Sequence, residues 1–451
     1  MWPLKTIMYF LLFWVACVAS LFNPVWGIVN YMMAYQTNPP ITWWGQPLVS
    51  LGMRFSMLAI IFTIIGLLIG RRRVPLIVPL FSLWECLVVM LLLMAVLGTV
   101  TGVGFNYSAQ AAFEKFWKLQ VFVLILVRLA TNRRNLELVI WSIVAGSLYL
   151  GWDAHTAPAS AFMKGRLEVF GGPDIATSSG AAAHLTAMLP IIGIGYLIAR
   201  RWHGKALAAI SGAFTVNAVV LCRTRSAFIG IAFGAAAALL LAPKSRRFRI
   251  YLLLGLGAFA AFALTDNNYW TRMATVMDRE ALAADGATQS RSDIWRASLQ
   301  ILSDYPMGVG LGNFARIIGD YDPRYPNRSP HNTLVMGFTE LGIAGGLLFI
   351  AILFESLRLL YQCNRLAPLS DRPLETRLMA YGMFVAIVTY FVAGLGTERF
   401  SCESFWWVLA FPLCLQRVIT GELRSRVPAL VLESETDWLP QSWQPRPAYA
   451  T

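Results

Sequence analysis

Charge and histidine are both scarce in this sequence. Of its 451 residues, 14% are charged and four are histidine, whereas 57% are hydrophobic. A soluble globular domain carries about 25% charged residues, so this composition excludes an ordinary soluble protein. The sequence also contains no Walker loop, no dinucleotide-binding fingerprint, no HExxH motif and no GxSxG motif. Nucleotide-driven chemistry, zinc proteolysis and the common serine-hydrolase fold therefore have no sequence support.

Metal and cofactor sites have little support either. The six cysteines lie mostly within or beside apolar runs and show no metal-ligand spacing, so we interpret them as packing residues. Asp320 and Asp322 form a D-x-D pattern, which some nucleotide-sugar enzymes use to hold a metal. Two-carboxylate patterns are common by chance, and we expect neither a metal nor a cofactor.

Long apolar runs are the dominant feature of the chain. A transmembrane helix needs about 17–25 predominantly apolar residues, and the sequence offers such runs repeatedly. It therefore predicts an all-α polytopic membrane protein with about 12 transmembrane helices. The predicted spans are 6–22, 53–70, 76–98, 117–131, 136–152, 180–199, 205–222, 226–242, 249–265, 333–361, 377–397 and 404–419. The shorter apolar run at 25–36 is predicted to be re-entrant or interfacial.

Basic residues predict the orientation of these spans. Alternate loops are rich in arginine and lysine, and such loops face the cytoplasm under the positive-inside rule. The basic loops are 71–73, 133–134, 200–205, 244–249, 365–372 and 424–426. This alternation predicts that both termini are cytoplasmic. It also explains the net charge of +13 without any nucleic-acid partner.

One long polar segment interrupts the apolar pattern between spans nine and ten. Residues 266–332 hold seven arginines against eight acidic residues and are predicted to face the periplasm. We thus divide the chain into spans one to nine (1–265), a periplasmic loop (266–332), spans ten to twelve (333–420) and a loosely ordered cytoplasmic tail (421–451). Within the loop, residues 290–293 predict a helix start, and residues 307–313 predict a glycine-rich turn.

Two arginines occupy a short turn where the orientation predicts little positive charge. Arg223 and Arg225 lie between two spans, on the outer side. One interpretation is that both side chains extend to lipid head groups. The other is an anion site, because a guanidinium fork suits a diphosphate at the membrane surface.

Arg291 is the second notable cation. Ser290 and Ser292 are good N-cap candidates, which would put Arg291 in the first turn of a helix. A cation opposes the helix dipole there, and a docked anion would relieve this conflict. An ion pair with Asp293 or another acid of the loop is the alternative.

His331 begins the next span, and Glu340 lies about two helical turns beyond it. An imidazole with its ordinary pKa near 6.5 can accept a proton at neutral pH. An intramembrane carboxylate is a functional candidate, because burying a charge in lipid is costly. Glu340 would orient His331 or an arginine, or else hold two helices together.

Four short motifs together resemble the O-antigen ligase and O-antigen polymerase superfamily, whose members are bacterial membrane glycosyltransferases of the GT-C type. They are Arg-Thr-Arg-Ser-Ala-Phe at 223–228, Ser-Arg-Ser-Asp-Ile-Trp at 290–295, Tyr-Pro-Met-Gly-Val-Gly-Leu-Gly-Asn at 305–313, and His-Asn-Thr-Leu at 331–334 with Glu340 following. The resemblance is strongest over residues 166–361.

The resemblance implies metal-independent, inverting transfer of a glycan from undecaprenyl diphosphate to an acceptor at the periplasmic side of the bacterial inner membrane. The acceptor would be lipid A-core, another surface glycan or a protein. By the same resemblance, Arg225 and Arg291 would hold the diphosphate, and His331 would activate the acceptor hydroxyl or support the reacting centre. Arg223, Arg166 and Glu340 are the further candidates for substrate binding.

Two alternatives stay open from the sequence. A polymerase would join lipid-linked repeat units to one another at the same donor site, and the acceptor groove decides between the two. A secondary transporter is a different class of function. Against it, the chain lacks a main break after span six and shows no internal repeat.

Overall fold

The computed structural model describes residues 2–70, 81–168, 170–274 and 286–436. This part of the chain is almost entirely α-helical, as predicted. The long helices are α1 (Leu4–Phe22), α2 (Val25–Thr37), α4 (Phe55–Ile69), α5 (Leu83–Thr101), α6 (Tyr107–Leu129), α7 (Arg133–His155), α8 (Ser178–Ile198), α9 (Trp202–Cys222), α10 (Arg225–Leu241), α11 (Arg247–Leu264), α13 (Gly286–Asp304), α15 (Thr333–Leu366), α16 (Pro373–Gly394) and α17 (Glu403–Thr436). The short helices are α3 (Gln46–Val49), α12 (Asn267–Ala274) and α14 (Phe314–Tyr321). Strands β1 (Phe162–Met163) and β2 (Arg166–Leu167) form a small antiparallel hairpin.

Each of the twelve predicted spans overlaps one of these helices, and residues 76–80 of the third span lie outside the described ones. By length and composition, eight helices of the described chain are able to cross a membrane, and α4 and α10 are shorter apolar helices. The predicted spans at 117–131 and 404–419 lie in α6 and α17. These two helices carry polar side chains such as Arg128 and Arg417, which lower their hydropathy. The prediction of an all-α polytopic membrane protein is confirmed.

The bundle has two ends that differ in chemistry. The loop end carries α12, α13 and α14, together with the β1–β2 hairpin. The opposite end, called the basic end here, carries ion pairs between helices. Among these, Arg133 binds Glu422 at 2.9 Å and Arg372 binds Glu137 at 3.4 Å.

The sequence predicts that the first helix begins on the cytoplasmic side, with the basic loops, and this direction is wrong. Lys5, near the start of α1, lies over the ring of Trp43, and the neighbouring Trp44 donates to the hydroxyl of Tyr149 in the later half of α7. The end of α1 instead meets the end of α4, where the backbone of Ser20 packs against Gly66. Helices α1 and α4 therefore run in the same direction, and α1 begins at the loop end.

Two parallel helices joined in sequence require a returning segment between them, and α2 is that segment. Asn23, just before α2, bonds Asn135 near the start of α7 at 3.4 Å, at the basic end. Asn38, just after α2, donates to the carbonyl of Gly171 at 3.2 Å, at the loop end. The segment predicted to be re-entrant thus carries the chain from one end to the other. Its 13 residues made it too short to be recognised as a span.

The predicted loose tail from Gly421 is also wrong over its first part. Helix α17 continues to Thr436, and the remaining residues, 437–451, lie outside the described ones. At the basic end this helix closes a buried ion cluster, in which Glu85 accepts from Arg417 at 2.6 Å and from Arg128 at 2.7 Å. One carboxylate therefore ties α5, α6 and α17 together.

Small residues bring the two arginines of the α9–α10 turn close to α16. A Cβ on Gly230 would lie 2.9 Å from the carbonyl oxygen of Thr389, and one on Gly234 would lie 2.0 Å from the hydroxyl of the same residue. A Gly-x-x-x-Gly spacing on α10 thus lets the two backbones approach, as is common between helices in lipid. Helix α10 begins at Arg225, so this packing fixes where that arginine emerges.

Candidate active site

The glycine-rich turn docks into a break in α15. Gly342 has φ 72 and ψ −175, which interrupts the helix. The N–H of Ile343, which would otherwise bond within the helix, donates to Pro306 at 3.0 Å. In exchange, Val309 donates to the carbonyl of Thr339 at 2.9 Å and Gly310 donates to that of Glu340 at 3.0 Å. The turn therefore replaces the missing donors of the helix, and the loop is fixed to the span behind it.

Glu340 belongs to this attachment. Its carboxylate accepts a hydrogen bond from the N–H of Gly312 at 2.8 Å, and the residue is 4% exposed. Of the roles predicted for Glu340, this contact favours holding two segments together. The same burial argues against the prediction that Glu340 binds substrate.

His331 lies at the mouth of the same helix. It immediately precedes Asn332, whose side chain caps α15 by accepting from Leu334 at 2.9 Å. Its backbone has φ 49, a left-handed conformation that is uncommon for a residue with a side chain. Such backbone strain persists where surrounding contacts over-determine it, often at functional sites. His331 is half-buried and directed by this turn rather than by a regular helix.

Burial and the surrounding positive charge both favour the neutral form of the His331 imidazole. Burial, followed by the positive charges of Arg291, Arg328 and Arg399, lowers the pKa of His331 below its ordinary value of 6.5. A neutral imidazole has a free nitrogen lone pair and is able to accept a proton. The same electrostatic effect shows that Arg291 and His331 share one neighbourhood.

Arg291 reaches this neighbourhood along α13. The indole of Trp295 donates to the carbonyl of Pro330 at 2.8 Å, which fastens α13 to the residue before His331. Arg291 lies four positions before Trp295 and hence on the same face of the helix. The predicted helix start at 290–293 is wrong, since α13 already includes Gly286. Arg291 is therefore beyond the first turn, and the argument from the helix dipole does not apply to it.

The α9–α10 turn places its two arginines differently. Arg223 ends α9 with φ 47, and its guanidinium binds Asp266 at 2.6 Å, so it ties the turn to the start of the loop segment. Arg225 is the first residue of α10 and is half-buried. The next residue, Ser226, packs closely on Gly396, where an added Cβ would lie 2.7 Å away. The turn therefore touches the segment between α16 and α17.

That segment, residues 395–402, connects the arginine turn with the histidine. The backbone N–H of Arg399 donates to the hydroxyl of Thr333 at 3.0 Å, two residues after His331. The guanidinium of Arg399 donates to the carbonyl of Asp174 at 2.7 Å, and the residue is 8% exposed. A single segment thus contacts the turn that carries Arg225 at Gly396 and the start of α15 at Arg399.

A group of polar residues behind this segment was not identified from the sequence. The carboxylate of Asp174 accepts from Lys115, from the hydroxyl of Tyr35 at 3.0 Å and from the N–H of Glu403 at 3.2 Å. These residues come from α2, α6, the loop before α8 and the start of α17. Their separation in sequence explains why no spacing pattern indicated them, although three charges at 398–403 between two spans were a usable signal.

The remaining predicted residues have partners of their own. Arg166 begins β2 and lies 3.5 Å from Glu168, whose carboxylate also caps α8 through the N–H of Ser178 at 2.7 Å. In the D-x-D pattern, Asp322 pairs with Arg324 at 2.8 Å. The carboxylate of Asp322, which a metal would need as a ligand, is therefore already paired with an arginine.

The site as a whole brings together a neutral histidine and several guanidinium groups at the loop end of an apolar bundle. Arginines stabilise phosphate and diphosphate groups through charge-assisted hydrogen bonds. A neutral imidazole supplies a proton acceptor beside them. This combination suits group transfer from a phosphorylated donor that is held at the membrane surface.

Comparison with known proteins assigns this region to a family. Residues 210–350 match the O-antigen ligase family model Wzy_C. The match begins in α9 and ends in α15, so it includes Arg225, Arg291, His331 and the glycine-rich turn. No curated protein matches the chain. The matched region and the all-α membrane fold agree with the four sequence motifs, and they support the resemblance of this chain to the O-antigen ligase and polymerase superfamily.

Proposed function

We propose that this protein is a membrane glycosyltransferase of the O-antigen ligase type. It transfers a glycan from undecaprenyl diphosphate to a hydroxyl of an acceptor on the periplasmic side of the bacterial inner membrane. The observation that carries the proposal is the position of His331 at the mouth of α15, with its pKa lowered by burial and by the charge of Arg291.

The chemistry follows from these groups. His331 accepts the proton of the acceptor hydroxyl, and the oxygen attacks the anomeric carbon of the donor sugar. The bond between that carbon and the diphosphate oxygen breaks, and its electron pair leaves with undecaprenyl diphosphate. Arg225 and Arg291 stabilise the growing negative charge on the leaving group. A single displacement of this kind inverts the configuration at the anomeric carbon.

Arg399 adds a role to those expected from the sequence. Its charge lowers the pKa of His331, and its backbone bonds Thr333 at the start of α15. We therefore assign it to holding His331 in its neutral form and in place. Lys115 and Asp174 in turn hold the segment that carries Arg399.

The acceptor decides between the two members of this superfamily. A ligase transfers the glycan to lipid A-core, another surface glycan or a protein, whereas a polymerase extends a second lipid-linked repeat unit. Purified protein in vesicles, supplied with lipid-linked donor alone, forms longer lipid-linked chains only if it is a polymerase. Transfer that requires an added acceptor supports the ligase.

Three single variants test the assignment of the site. In reconstituted vesicles, Arg225→Ala, Arg291→Ala and His331→Ala are each expected to lower transfer by about a hundredfold or more, the range of a lost acid–base or charge-stabilising group. Arg296→Ala is the matched control for Arg291, because Arg296 lies on the same helix with its side chain 79% exposed. His155→Ala is the control for His331, since that histidine lies at the exposed end of α7.

The transfer rates are compared only among variants that are folded. Each variant is first compared with the parent by its elution profile and thermal unfolding in detergent. Normal transfer by the three folded site variants would overturn the proposal, and so would equal losses in the two controls. Uptake of a solute by the same vesicles, without glycan transfer, would support a transporter instead.

A further inference from the structure

The basic end of the bundle contains a cleft far from the candidate active site. It has a volume of about 520 Å³ and lies where the α8–α9 turn, the start of α11 and the start of α16 meet. Its charged lining consists of Arg200, Lys205, Arg246, Arg249, Arg372 and Glu375. Five cations against one acid make this cleft strongly positive.

The single acid does not neutralise the cleft. Glu375 lies 3.5 Å from Arg200 and 3.2 Å from Arg372, so its charge is already shared. The side chains of Lys205, Arg246 and Arg249 have no hydrogen-bond or ionic partner within the described part of the chain. Three cations are thus gathered at one cavity, and no group in the described residues balances their charge.

The helices around the cleft also begin in an unusual way. The N-cap residues of α9, α11 and α16 are Arg201, Arg246 and Arg372, and none of these side chains accepts a capping hydrogen bond from the first turn of its helix. Serine, threonine, aspartate and asparagine are the usual caps, because they accept from the free N–H groups of the first turn. An arginine offers no acceptor and opposes the positive end of the helix dipole. A bound anion would relieve both conflicts for the helices that open onto the cavity.

The uncharged part of the lining indicates what kind of anion fits. Leu197, Leu374 and Leu378 line the same cleft, and Leu378 packs with Ile250 in a buried apolar cluster. A free phosphate would have no use for an apolar wall, whereas a lipid has acyl chains that lie along it. Basic pockets between helices at a membrane surface are suited to anionic lipid head groups.

We propose that this cleft binds the head group of an anionic phospholipid, with the phosphate against Arg246 and Arg249 and an acyl chain along the apolar wall. A lipid with two phosphates in one head group, such as diphosphatidylglycerol, matches the excess of cations best. The site is separate from the transfer site and does not depend on the proposed function. Bound lipid would join the starts of α11 and α16 and stabilise the bundle there.

Native mass spectrometry of the full chain, exchanged into vesicles of phosphatidylethanolamine with diphosphatidylglycerol, tests this proposal. The double variant Arg246→Ala/Arg249→Ala is expected to bind diphosphatidylglycerol at least about tenfold more weakly than the parent, given the contribution of each basic residue near an anionic surface. Arg134→Ala/Arg365→Ala is the control. Both of its side chains are exposed, they lie outside the cleft, and the same charge is removed from the same end.

The two variants separate a defined site from general attraction. Weaker binding by the cleft variant alone supports the proposal, and equal binding by the two variants overturns it. Inorganic phosphate and inorganic diphosphate are then added to the parent at the concentration of the lipid phosphate. Displacement of the bound lipid by either ion at that concentration overturns the assignment to a lipid, whereas retention supports it. Thermal unfolding of both variants without added lipid verifies that each is folded.

Discussion

Replacing Gly342 by alanine is expected to detach the glycine-rich turn from α15. The backbone at Gly342 has φ 72 and ψ −175, a region that is essentially reserved for glycine. An added Cβ would also lie 2.4 Å from the carbonyl carbon of Met307 and 2.5 Å from the carbonyl oxygen of Pro306. Both neighbours are backbone atoms, so no side-chain rotation relieves the contact.

The cost has two parts. A residue with a side chain in this conformation costs about 1–3 kcal/mol. Overpacking a close contact costs about 1–3 kcal/mol more. We therefore expect Gly342→Ala to lower the free energy of unfolding by about 2–6 kcal/mol. If the strain is released locally instead, the exchanged hydrogen bonds to Pro306 and Thr339 are lost, and the loop separates from the span.

Thermal unfolding in detergent, limited proteolysis of the loop segment and glycan transfer in vesicles measure these effects together. Gly257→Ala is the matched control, because Gly257 lies within α11 and an added Cβ there has no neighbour within 4 Å. We expect the control to match the parent in all three measurements. If Gly342→Ala behaved like Gly257→Ala, the break in α15 would not hold the loop, and this reasoning would be refuted.

Three further predictions concern the histidine, the buried ion cluster and the direction of α1. Arg328→Ala removes a charge that lowers the pKa of His331, so this pKa rises. The acidic limb of the transfer rate then moves to higher pH, while the plateau at high pH is unchanged. Arg417→Ala leaves the buried carboxylate of Glu85 without its 2.6 Å partner and is expected to cost about 3–5 kcal/mol, measured by thermal unfolding. In a Cys86→Ser background, Pro3→Cys is expected to react with an impermeant maleimide that is added on one side of the membrane. Ser425→Cys is expected to react only with maleimide that is added on the opposite side.

Each of these measurements has its own control. Arg296→Ala removes an exposed charge that does not act on His331, so its pH–rate profile is expected to match the parent, and an unchanged profile in Arg328→Ala as well would contradict the electrostatic account. Arg365→Ala removes an exposed cation from the basic end, and a similar loss of stability in Arg365→Ala and Arg417→Ala would refute the ion cluster. Gln300→Cys marks the loop end of the bundle. If Pro3→Cys and Gln300→Cys were labelled from opposite sides of the membrane, the direction of α1 that the sequence predicts would be correct after all.

The sequence was sufficient for the helices because lipid imposes a simple rule on them. Every backbone polar group within the bilayer needs an internal partner, so long apolar runs become helices. The same rule requires a minimum length of apolar sequence. Helix α2 has 13 residues, which is below this minimum, so it was not predicted as a span. Because α2 was not counted as a span, the direction predicted for α1 was the reverse of the one observed. Helix α1 itself gives little indication of its orientation, since Lys5 is its only charged side chain.

The candidate site was predictable where it depends on short motifs and not where it depends on tertiary contacts. The motifs indicated Arg291 and His331 as candidates, and in the structure the charge of Arg291 acts on His331. Ser290 nevertheless resembles an N-cap only in isolation, because the helix that carries Arg291 already includes Gly286. Arg399 and Asp174 meet across 225 residues, and no local pattern indicates such a pair.

Glu340 illustrates a further limit of sequence reasoning. A carboxylate within an apolar span is unusual enough to suggest function. Its role depends on the break at Gly342 and on the N–H of Gly312, which is 28 positions away. Only the folded chain shows that this carboxylate satisfies a backbone donor of the glycine-rich turn.

The central claim is that His331 removes the acceptor proton while the arginines hold the diphosphate. The most direct measurement counts both products of one reaction in vesicles: glycan joined to the acceptor and undecaprenyl diphosphate released. The account predicts one released lipid for each glycan transferred by the parent, with His331→Ala still binding the donor but forming neither product. Transfer at the parental rate by folded His331→Ala, or transfer without release of undecaprenyl diphosphate, would contradict it.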